Sequence, residues 1–263
     1  MKGLKFFSLA VVASFTMVSC SQSPQGDEAQ VSEAQEVEKI SQSASSYALN
    51  TSQSELQWYG FKPTGQHYGT IGIKDGSVAV ENNEVVGGSF TVDLNDIDVQ
   101  DLEGEDRDKL TGHLKSEDFF FVEQYPEAKF EITQVNPYSD ATASSEENEN
   151  MTVKVNNEEV SEYVLDNPTH MVSGNLSMRD TTLSITFPAR IDVSENAIKA
   201  EAKFNIDRTN WNISYNDEGD PVRVAKDKFI YNTVNVGFNI IAEKGGQPQA
   251  AETEEVDTEN SDS

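Results

Sequence analysis

The three histidines, His67, His113 and His170, are the residues of this chain best suited to acid–base or metal chemistry. No H-x-H or H-E-x-x-H spacing places two of them on one face of a strand or helix, as a zinc site requires. The sequence has no G-x-S-x-G nucleophile motif and no glycine-rich phosphate loop. With 46 Asp and Glu residues, no carboxylate pair stands out as an acid–base couple. We therefore expect no enzyme activity, no metal and no cofactor, and a surface or capping role for His113.

The only cysteine, Cys20, follows a short apolar segment at the start of the chain. Lys2 and Lys5 precede an apolar run from Phe6 to Val18, which is too short to span a bilayer as a stable helix. The residues Met17-Val18-Ser19-Cys20 resemble a bacterial lipobox, where the signal is cut before the cysteine and the thiol is acylated. A lone cysteine also cannot form an internal disulfide. We interpret residues 1–20 as a lipoprotein signal peptide and Cys20 as a lipid anchor; an ordinary export signal with an incidental cysteine is the alternative.

Three polar segments carry most of the negative charge. Residues 21–46, 139–170 and 243–263 contain 5, 8 and 7 acidic residues with one lysine each, and so account for −17 of the formal net charge of −27. They are interpreted as a flexible stalk over residues 21–46, an acidic insertion over 139–170 and a disordered acidic tail over 244–263. This charge excludes nucleic acid as a partner, because its phosphates would be repelled.

Apolar residues alternate with polar ones through most of the remaining chain, which is the period of a strand with one buried face. An Asp75-Gly76 turn is predicted to join two of these strands as a hairpin. The alternating sets are Leu56 and Trp58; Ile71, Ile73, Val78 and Val80; Phe90, Val92 and Leu94; Ala128, Phe130 and Ile132; Leu176 and Met178; Leu183, Ile185, Phe187, Ala189 and Ile191; Ile198, Ala200, Ala202, Phe204 and Ile206; and Val234, Val236, Phe238 and Ile240.

Residues 47–243 are long enough for one domain with a sizeable core. Helical periodicity is confined to Asp106–Lys115, with a further helical turn at Asp118–Gln124. The predicted fold class is all-β, with about eight antiparallel strands and one or two short helical segments. Periodicity alone leaves open a closed barrel and a two-sheet sandwich.

Five motifs follow one another along the chain. They are Ser54-Glu-Leu-Gln-Trp-Tyr-Gly-Phe61; Gly87-Gly-Ser-Phe-Thr-Val-Asp-Leu-Asn95; Leu110-Thr-Gly-His-Leu-Lys-Ser-Glu-Asp-Phe-Phe120 with Tyr125-Pro-Glu-Ala-Lys-Phe130; Gly174-Asn-Leu-Ser-Met-Arg-Asp-Thr-Thr-Leu-Ser-Ile-Thr-Phe-Pro188; and Phe204-Asn-Ile-Asp-Arg-Thr-Asn-Trp-Asn-Ile213. In this order they resemble the motifs of the YceI-like family, lipocalin-like barrels of the bacterial periplasm that hold polyisoprenoid lipids. The resemblance covers about residues 47–242. The third motif, an aromatic run that breaks at Pro126 and resumes as a strand, is the most specific.

The chain departs from the family pattern at three places. Asp180 stands where a hairpin glycine is usual, and aspartate tolerates the left-handed conformation that such a turn needs. Asn212 likewise stands where glycine is common. Residues 139–170 are interpreted as an insertion between strands, with an extra hairpin considered near Met151–Val155; this insertion either caps one mouth of the barrel or forms a surface loop.

The resemblance implies a single eight-stranded lipocalin-like barrel with a lipid in its lumen. The alternative is a lumen filled by its own side chains, as in other small barrels. Trp58 and Trp211 either line the lumen or plug its ends, and Arg208 either forms a structural ion pair or meets an anionic head group at a mouth. The residues expected to contact lipid are Trp58, Phe90, Val92, Leu94, Phe130, Ile132, Leu176, Met178, Ile185, Phe187, Phe204, Ile206, Trp211, Val236 and Phe238.

The function expected from these features is carriage or sequestration of a polyisoprenoid-type lipid, such as a prenyl quinone or a polyprenyl phosphate. Acylation of Cys20 would hold the barrel in the cell envelope, and Ser21 after the cysteine favours the periplasmic face of the outer membrane. The alternative function is a protein-interaction module that uses the acidic insertion and tail, with the barrel as scaffold.

Overall fold

The computed structural model describes residues 24, 26–139, 163–219, 222 and 228–245. The predicted signal peptide with Cys20, the acidic insertion from residue 140 to 162 and the tail beyond residue 245 lie outside the described residues. The described elements are β1 (Gln30–Glu33), β2 (Ser45–Leu49), β3 (Glu55–Lys62), β4 (Gly65–Glu81), β5 (Glu84–Val99), α1 (Gly104–Lys115), β6 (Glu127–Pro137), β7 (His170–Met178), β8 (Thr181–Val193), β9 (Ala197–Asp207), a short 3-10 helix (Arg208–Trp211) and β10 (Thr233–Lys244).

The strands β3 to β10 form a closed antiparallel barrel. Each pairs with the next along the chain, and β10 returns to pair with β3 from Val234 opposite Gly60 to Asn239 opposite Glu55. The short strand β2 also pairs with β4 and β10, so it continues the line of β3 across an interruption. This closed ring of backbone hydrogen bonds confirms the predicted barrel and excludes the two-sheet sandwich.

Because side chains alternate along a strand, every second residue of each strand points into the barrel. In β9, Ile198, Ala202 and Phe204 are buried, whereas Lys199 between them is exposed. Burial of this inner face removes apolar surface from water and is the main favourable contribution to folding. The helix α1 begins two residues before its predicted start, and Asp118–Gln124 forms turns with no helix. Within the described residues, no helix has the length and apolar character needed to cross a membrane.

The Asp75-Gly76 pair is not a hairpin turn, contrary to prediction. Both residues lie inside β4, where the pairing with β5 shifts register between Ile73 and Asp75. The chain turns at Asn82-Asn83, whose φ angles of 52° and 68° meet the requirement of a two-residue turn for positive φ at both positions. Gly76 serves another purpose, because a Cβ there would lie 2.8 Å from Phe90 Cδ1. The glycine therefore lets the ring of Phe90 approach the strand.

The second predicted hairpin turn, at Asp180, is confirmed. Arg179 and Asp180 have φ angles of 47° and 63° and join β7 to β8 by a two-residue turn. Asn212 also adopts the left-handed conformation, with φ 61°, in the place where glycine is common. Aspartate and asparagine enter this region more readily than most residues.

The prediction of a flexible stalk over residues 21–46 is wrong where the structure has strands, at Gln30–Glu33 and from Ser45 onward. Residues 26–33, here named the strap, lie along the barrel wall, and β2 begins at Ser45. Strand β1 pairs with β8, from Gln30 opposite Thr186 to Glu33 opposite Leu183. The strap also contacts β9, since Ala29 N donates to Asn205 O (2.9 Å) and Asn205 N to Asp27 O (2.7 Å).

The strap fits here because β8 and β9 pair directly only between Ala189–Val193 and Ile198–Ala202. Beyond that ladder the two strands diverge and would leave backbone N–H and C=O groups without partners. An unpaired buried backbone group is costly, so a third segment that supplies hydrogen bonds is stabilised there. The composition of the strap is polar, and its order comes from this seam and not from its own propensity.

The carboxylates of the strap should make its contact with β8 and β9 depend on pH. Burial raises the pKa of both Asp27 and Glu28 above their ordinary values of 3.8 and 4.5, although the hydrogen bond from Asn205 Nδ2 opposes this at Glu28. A raised folded-state pKa means that docking is strongest below those ordinary values and weakens as the pH rises through the folded pKa. We therefore expect the double variant Asp27→Asn, Glu28→Gln to protect the Ala29 amide from hydrogen exchange better than wild type at pH 7. At pH 4 the difference should shrink.

The exposed Glu33 at the other end of the strap offers a matched control, and Glu33→Gln should leave the Ala29 protection factor unchanged. Equal protection in the double variant and wild type at pH 7 would contradict the prediction, because partial desolvation of the Asp27 and Glu28 carboxylates would then not oppose docking.

Candidate functional site

The inner faces of the barrel strands enclose an apolar cavity. The cavity has a volume of about 170 Å³. This is many times the volume that one water molecule needs. Arg208 is the one charged residue among those that line it. The lining residues are Leu56, Trp58, Ile71, Ile73, Phe90, Val92, Leu94, Phe120, Ala128, Phe130, Leu176, Met178, Ile185, Phe187, Phe204, Ile206, Arg208, Ile213, Val234, Val236, Phe238 and Ile240.

Four phenylalanines form a connected cluster on the wall of this cavity. Phe187 stacks on Phe204 with ring centroids 4.1 Å apart and an interplanar angle of 11°. Phe130 and Phe238 pack against Phe187 at 5.7 and 5.8 Å. The cluster supplies a rigid apolar surface with few rotatable bonds.

Gly174 makes room for one of these rings. A Cβ at this position of β7 would lie 2.3 Å from Phe130 Cζ and 2.7 Å from the backbone oxygen of Glu131. Any larger residue would have to push the Phe130 ring from its place in the wall. The glycine in the fourth motif therefore shapes the lumen.

Thirteen of the fifteen residues expected to contact lipid line the cavity. The other two, Ile132 and Trp211, are buried in the core but do not line it. Trp211 is 0% exposed and its Nε1 donates to Leu176 O at 3.1 Å. Its indole therefore packs as a structural plug, one of the two roles considered from the sequence, while Trp58 lines the lumen.

Arg208 lies at the wall with 3% of its surface exposed. Its guanidinium donates to three backbone oxygens: Nε to Tyr231 O (3.2 Å), Nη1 to Ile213 O (2.5 Å) and Nη2 to Ile230 O (3.1 Å). Burial lowers the pKa of Arg208, and the carboxylates of Asp217, Asp207 and Glu218 oppose that shift. Among the described residues none forms an ion pair with it, so the structural ion pair expected from the sequence is not found. Arg208 instead ties the loop before β10 to the 3-10 segment.

The family model of the YceI-like domain matches residues 47–242. The chain belongs to the YceI-like family. No protein with a curated description matches the sequence significantly.

Several solved structures are similar to this YceI-like protein at low sequence identity. Burkholderia cenocepacia BcnA is 14% identical, with 74% of this chain and 99% of that chain covered and a TM-score of 0.48. A polyisoprenoid binding domain from Saccharophagus degradans, implicated in plant cell wall breakdown, is 16% identical, with 75% and 98% covered and a TM-score of 0.47. The Campylobacter jejuni YCEI protein is 15% identical, with 67% and 85% covered and a TM-score of 0.41.

Nine residues of the YceI-like lumen were not among those expected at the site. Six of them continue the alternating register of strands already recognised, so this signal was available in the sequence: Leu56, Ile71, Ile73, Ala128, Val234 and Ile240. Phe120, Arg208 and Ile213 come from turns or the 3-10 segment at the end of the barrel, where no periodicity marks the inward face.

The three successive phenylalanines Phe119, Phe120 and Phe121 lie in different surroundings. Phe120 lines the lumen and Phe119 is buried beside α1, whereas Phe121 packs against Tyr125 with ring centroids 5.9 Å apart. Phe121 has a φ of 49°, and this left-handed residue turns the chain so that its neighbours point in different directions.

The histidines of this YceI-like barrel are held by hydrogen bonds to carboxylates or hydroxyl groups. His67 Nδ1 lies 2.7 Å from Asp101 Oδ2, and His113 Nε2 lies 3.0 Å from Asp118 Oδ2. His170 Nδ1 lies 2.8 Å from the Thr169 hydroxyl. In the described part of the chain, no group of three or more His, Cys, Asp and Glu side chains is arranged to hold a metal ion.

Proposed function

We propose that this protein binds a polyisoprenoid-type lipid in the lumen of its barrel and carries or shields that lipid in the cell envelope, without catalysing a reaction. The observation that carries the proposal is the cavity, whose lining is apolar apart from Arg208 and the indole N–H of Trp58. The YceI-like family resemblance, which implies polyisoprenoid ligands, supports it.

The energetics favour a long apolar ligand. About twenty buried methylene-sized groups would contribute roughly 16 kcal/mol, before the cost of ordering the ligand is subtracted. A flexible isoprenoid chain therefore gains affinity from its length and needs few polar contacts. Lumen width, set by residues such as the four clustered phenylalanines, would select against bulky branched ligands.

The proposal places the barrel at a membrane through acylation of Cys20. Its support is the lipobox-like sequence before this residue, and Ser21 favours the periplasmic face of the outer membrane. With its own signal, the wild-type protein should fractionate with membranes and Cys20→Ser should not. Equal fractionation of the two proteins would remove the anchor from the proposal.

Lipid binding is tested by native mass spectrometry of residues 21–263. The protein is exported from a bacterium through a cleavable signal without a lipobox. This chain keeps the strap, which pairs with the barrel. We expect one prenyl lipid to remain bound to each barrel through purification, and solvent extraction then identifies it. A protein that has no adduct, and still has none after incubation with prenyl quinones and polyprenyl phosphates, would contradict lumen binding.

A further inference from the structure

The wall of the barrel contains a gap that the strap fills. Strands β8 and β9 pair directly only next to their connecting turn, where Ala189–Val193 face Ile198–Ala202. Past this ladder the strap lies between them, because β1 pairs with β8 while Asp27 and Ala29 exchange hydrogen bonds with Asn205 of β9. The strap therefore takes the place of a barrel strand along this part of the wall.

The inner side of the strap adjoins the lumen. Ala29 is buried in the same apolar cluster as Ile185 of β8 and Ile206 of β9, and these two isoleucines line the lumen. Val31 is paired with Ile185 across the β1–β8 ladder. The neighbouring Gln30 is exposed, so this single segment separates the lumen from solvent here.

Contacts that do not involve the strap fix both ends of the gap. At one end, where the direct ladder stops, the rings of Phe187 and Phe204 stack with their centroids 4.1 Å apart. At the other end, Asn212 Nδ2 donates to Thr181 Oγ1 (2.9 Å). Departure of the strap would leave a slot about 20 Å long, at about 3.4 Å per residue from Thr181 to Phe187, and about one strand spacing of 4.8 Å wide. A slender apolar chain fits such a slot, since an extended peptide segment already does.

The strap is held more weakly than the barrel strands. Of its eight residues only Ala29 is buried, so little apolar surface opposes its release. Its contact with β9 centres on Asn205, whose side-chain Nδ2 also donates to Gly26 O (3.3 Å) and Glu28 Oε1 (3.1 Å). Segments with few buried apolar contacts open locally at the least cost in free energy. The strap should therefore leave the wall before any barrel strand does.

We infer that the strap is a removable part of the barrel wall, and that its release opens a lateral portal between β8 and β9 through which an apolar chain enters and leaves the lumen. The inference rests on the proposed function, because the chain that passes is the lipid of the lumen. Gly26 follows Cys20 by six residues, which span at most about 20 Å. An acylated Cys20 therefore keeps the portal close to the bilayer, and lipid moves sideways between membrane and lumen.

A disulfide that locks the strap in place tests this inference. Residues 21–263 contain no cysteine, so the double variant Gln30→Cys, Thr186→Cys can form only one intramolecular disulfide. The two residues are opposed across the β1–β8 ladder, where Cα atoms lie about 4.5–5.5 Å apart, a separation that a disulfide spans. The protein is loaded with geranylgeraniol and mixed with excess phosphatidylcholine vesicles, and native mass spectra of timed samples give the rate at which bound lipid is lost.

We expect the oxidised lock to lose geranylgeraniol about tenfold or more slowly than the same protein after reduction, because the strap can no longer leave the slot. The matched control is Lys129→Cys, Ser177→Cys, which joins opposed residues of β6 and β7 away from the strap. Its oxidised and reduced forms should lose lipid at the same rate.

A pair of lysine variants tests the opposite change and needs no disulfide. Ala29→Lys places an ammonium group against the apolar cluster, whereas Gln30→Lys adds the same side chain to the exposed neighbour. Ala29→Lys should release the strap and raise the rate of lipid loss about threefold or more, because a charge is costly to bury. Gln30→Lys should lose lipid at the wild-type rate.

The outcomes separate the portal from lumen binding itself. If the reduced proteins and wild type hold no geranylgeraniol, lumen binding fails and the portal fails with it. If they hold the lipid but the oxidised lock loses it as fast as its reduced form, the lipid passes through an end of the barrel and only the portal is overturned. Equal slowing by the control disulfide would also overturn it, since a general stiffening of the barrel would then explain the effect. Where the lock does not form, equal rates for Ala29→Lys and Gln30→Lys lead to the same conclusion.

Discussion

A tryptophan at position 128 is expected to expel lipid from the barrel. Ala128 lies on β6, lines the cavity and pairs with Val92 across the strand ladder. An indole there would fill part of the lumen and displace about four methylene-sized groups of a bound chain, each worth about 0.8 kcal/mol. Affinity should fall on the order of 100-fold. The measurement is the fraction of barrels that carry lipid in native mass spectra of Ala128→Trp.

The next residue provides the matched control. Lys129 is exposed on the opposite face of the same strand, so Lys129→Trp adds the same ring outside the barrel. It should retain as much lipid as wild type. Lipid retained by a folded Ala128→Trp protein would show that the ligand does not occupy the lumen. If Ala128→Trp does not fold, Val92→Phe makes a smaller intrusion into the lumen from the neighbouring strand β5 and tests the same point.

The lumen wall could be predicted because it depends on a local rule. On β9 and β10 every second residue faces inward, so Phe204, Ile206, Val236 and Phe238 could be assigned to one surface from the sequence. Family-like motifs then distinguished a closed barrel from a sandwich. Neither step required knowledge of which residues meet across the barrel.

Features that depend on distant partners could not be predicted in this way. The polar composition of the strap is typical of a linker. It forms a strand because β8 and β9 diverge and expose backbone groups to it. Asp75-Gly76 has the composition of a turn, yet the pairing with β5 continues through it as an irregularity. In both cases a tertiary contact overrides the local preference of the residues.

A second cavity, beside α1 at the end of the barrel, shows the same limit of prediction from sequence. The spacing of His67 and His113 in the sequence gives no metal or catalytic motif. The fold nevertheless places both on the wall of one cavity, together with Trp58 and Asn216. Their proximity arises from the packing of α1 and the loop before β10 against the end of the barrel, which no periodicity reports.

The replacement Arg208→Met is expected to lower the free energy of unfolding by about 3–5 kcal/mol. The methionine keeps much of the buried aliphatic stem but leaves the backbone oxygens of Ile213, Ile230 and Tyr231 without the guanidinium donors. Each buried carbonyl that loses its partner costs about 1–3 kcal/mol, and water that enters beside it relieves part of this cost. Urea denaturation, compared by midpoint at equal slope, measures the loss.

Arg179 gives a matched comparison, because it also donates to backbone oxygens, those of Phe119 and Asn212, but from a more exposed position. Arg179→Met should cost about 1 kcal/mol, since water can replace its hydrogen bonds. Arg208→Lys should recover only part of the stability, because one ammonium cannot reproduce the planar fork that reaches three carbonyls. If Arg208→Met were no more destabilising than Arg179→Met, the guanidinium would not be what holds the loop before β10 against the barrel. Its place on the wall of the lumen would then have to be explained by contact with a ligand.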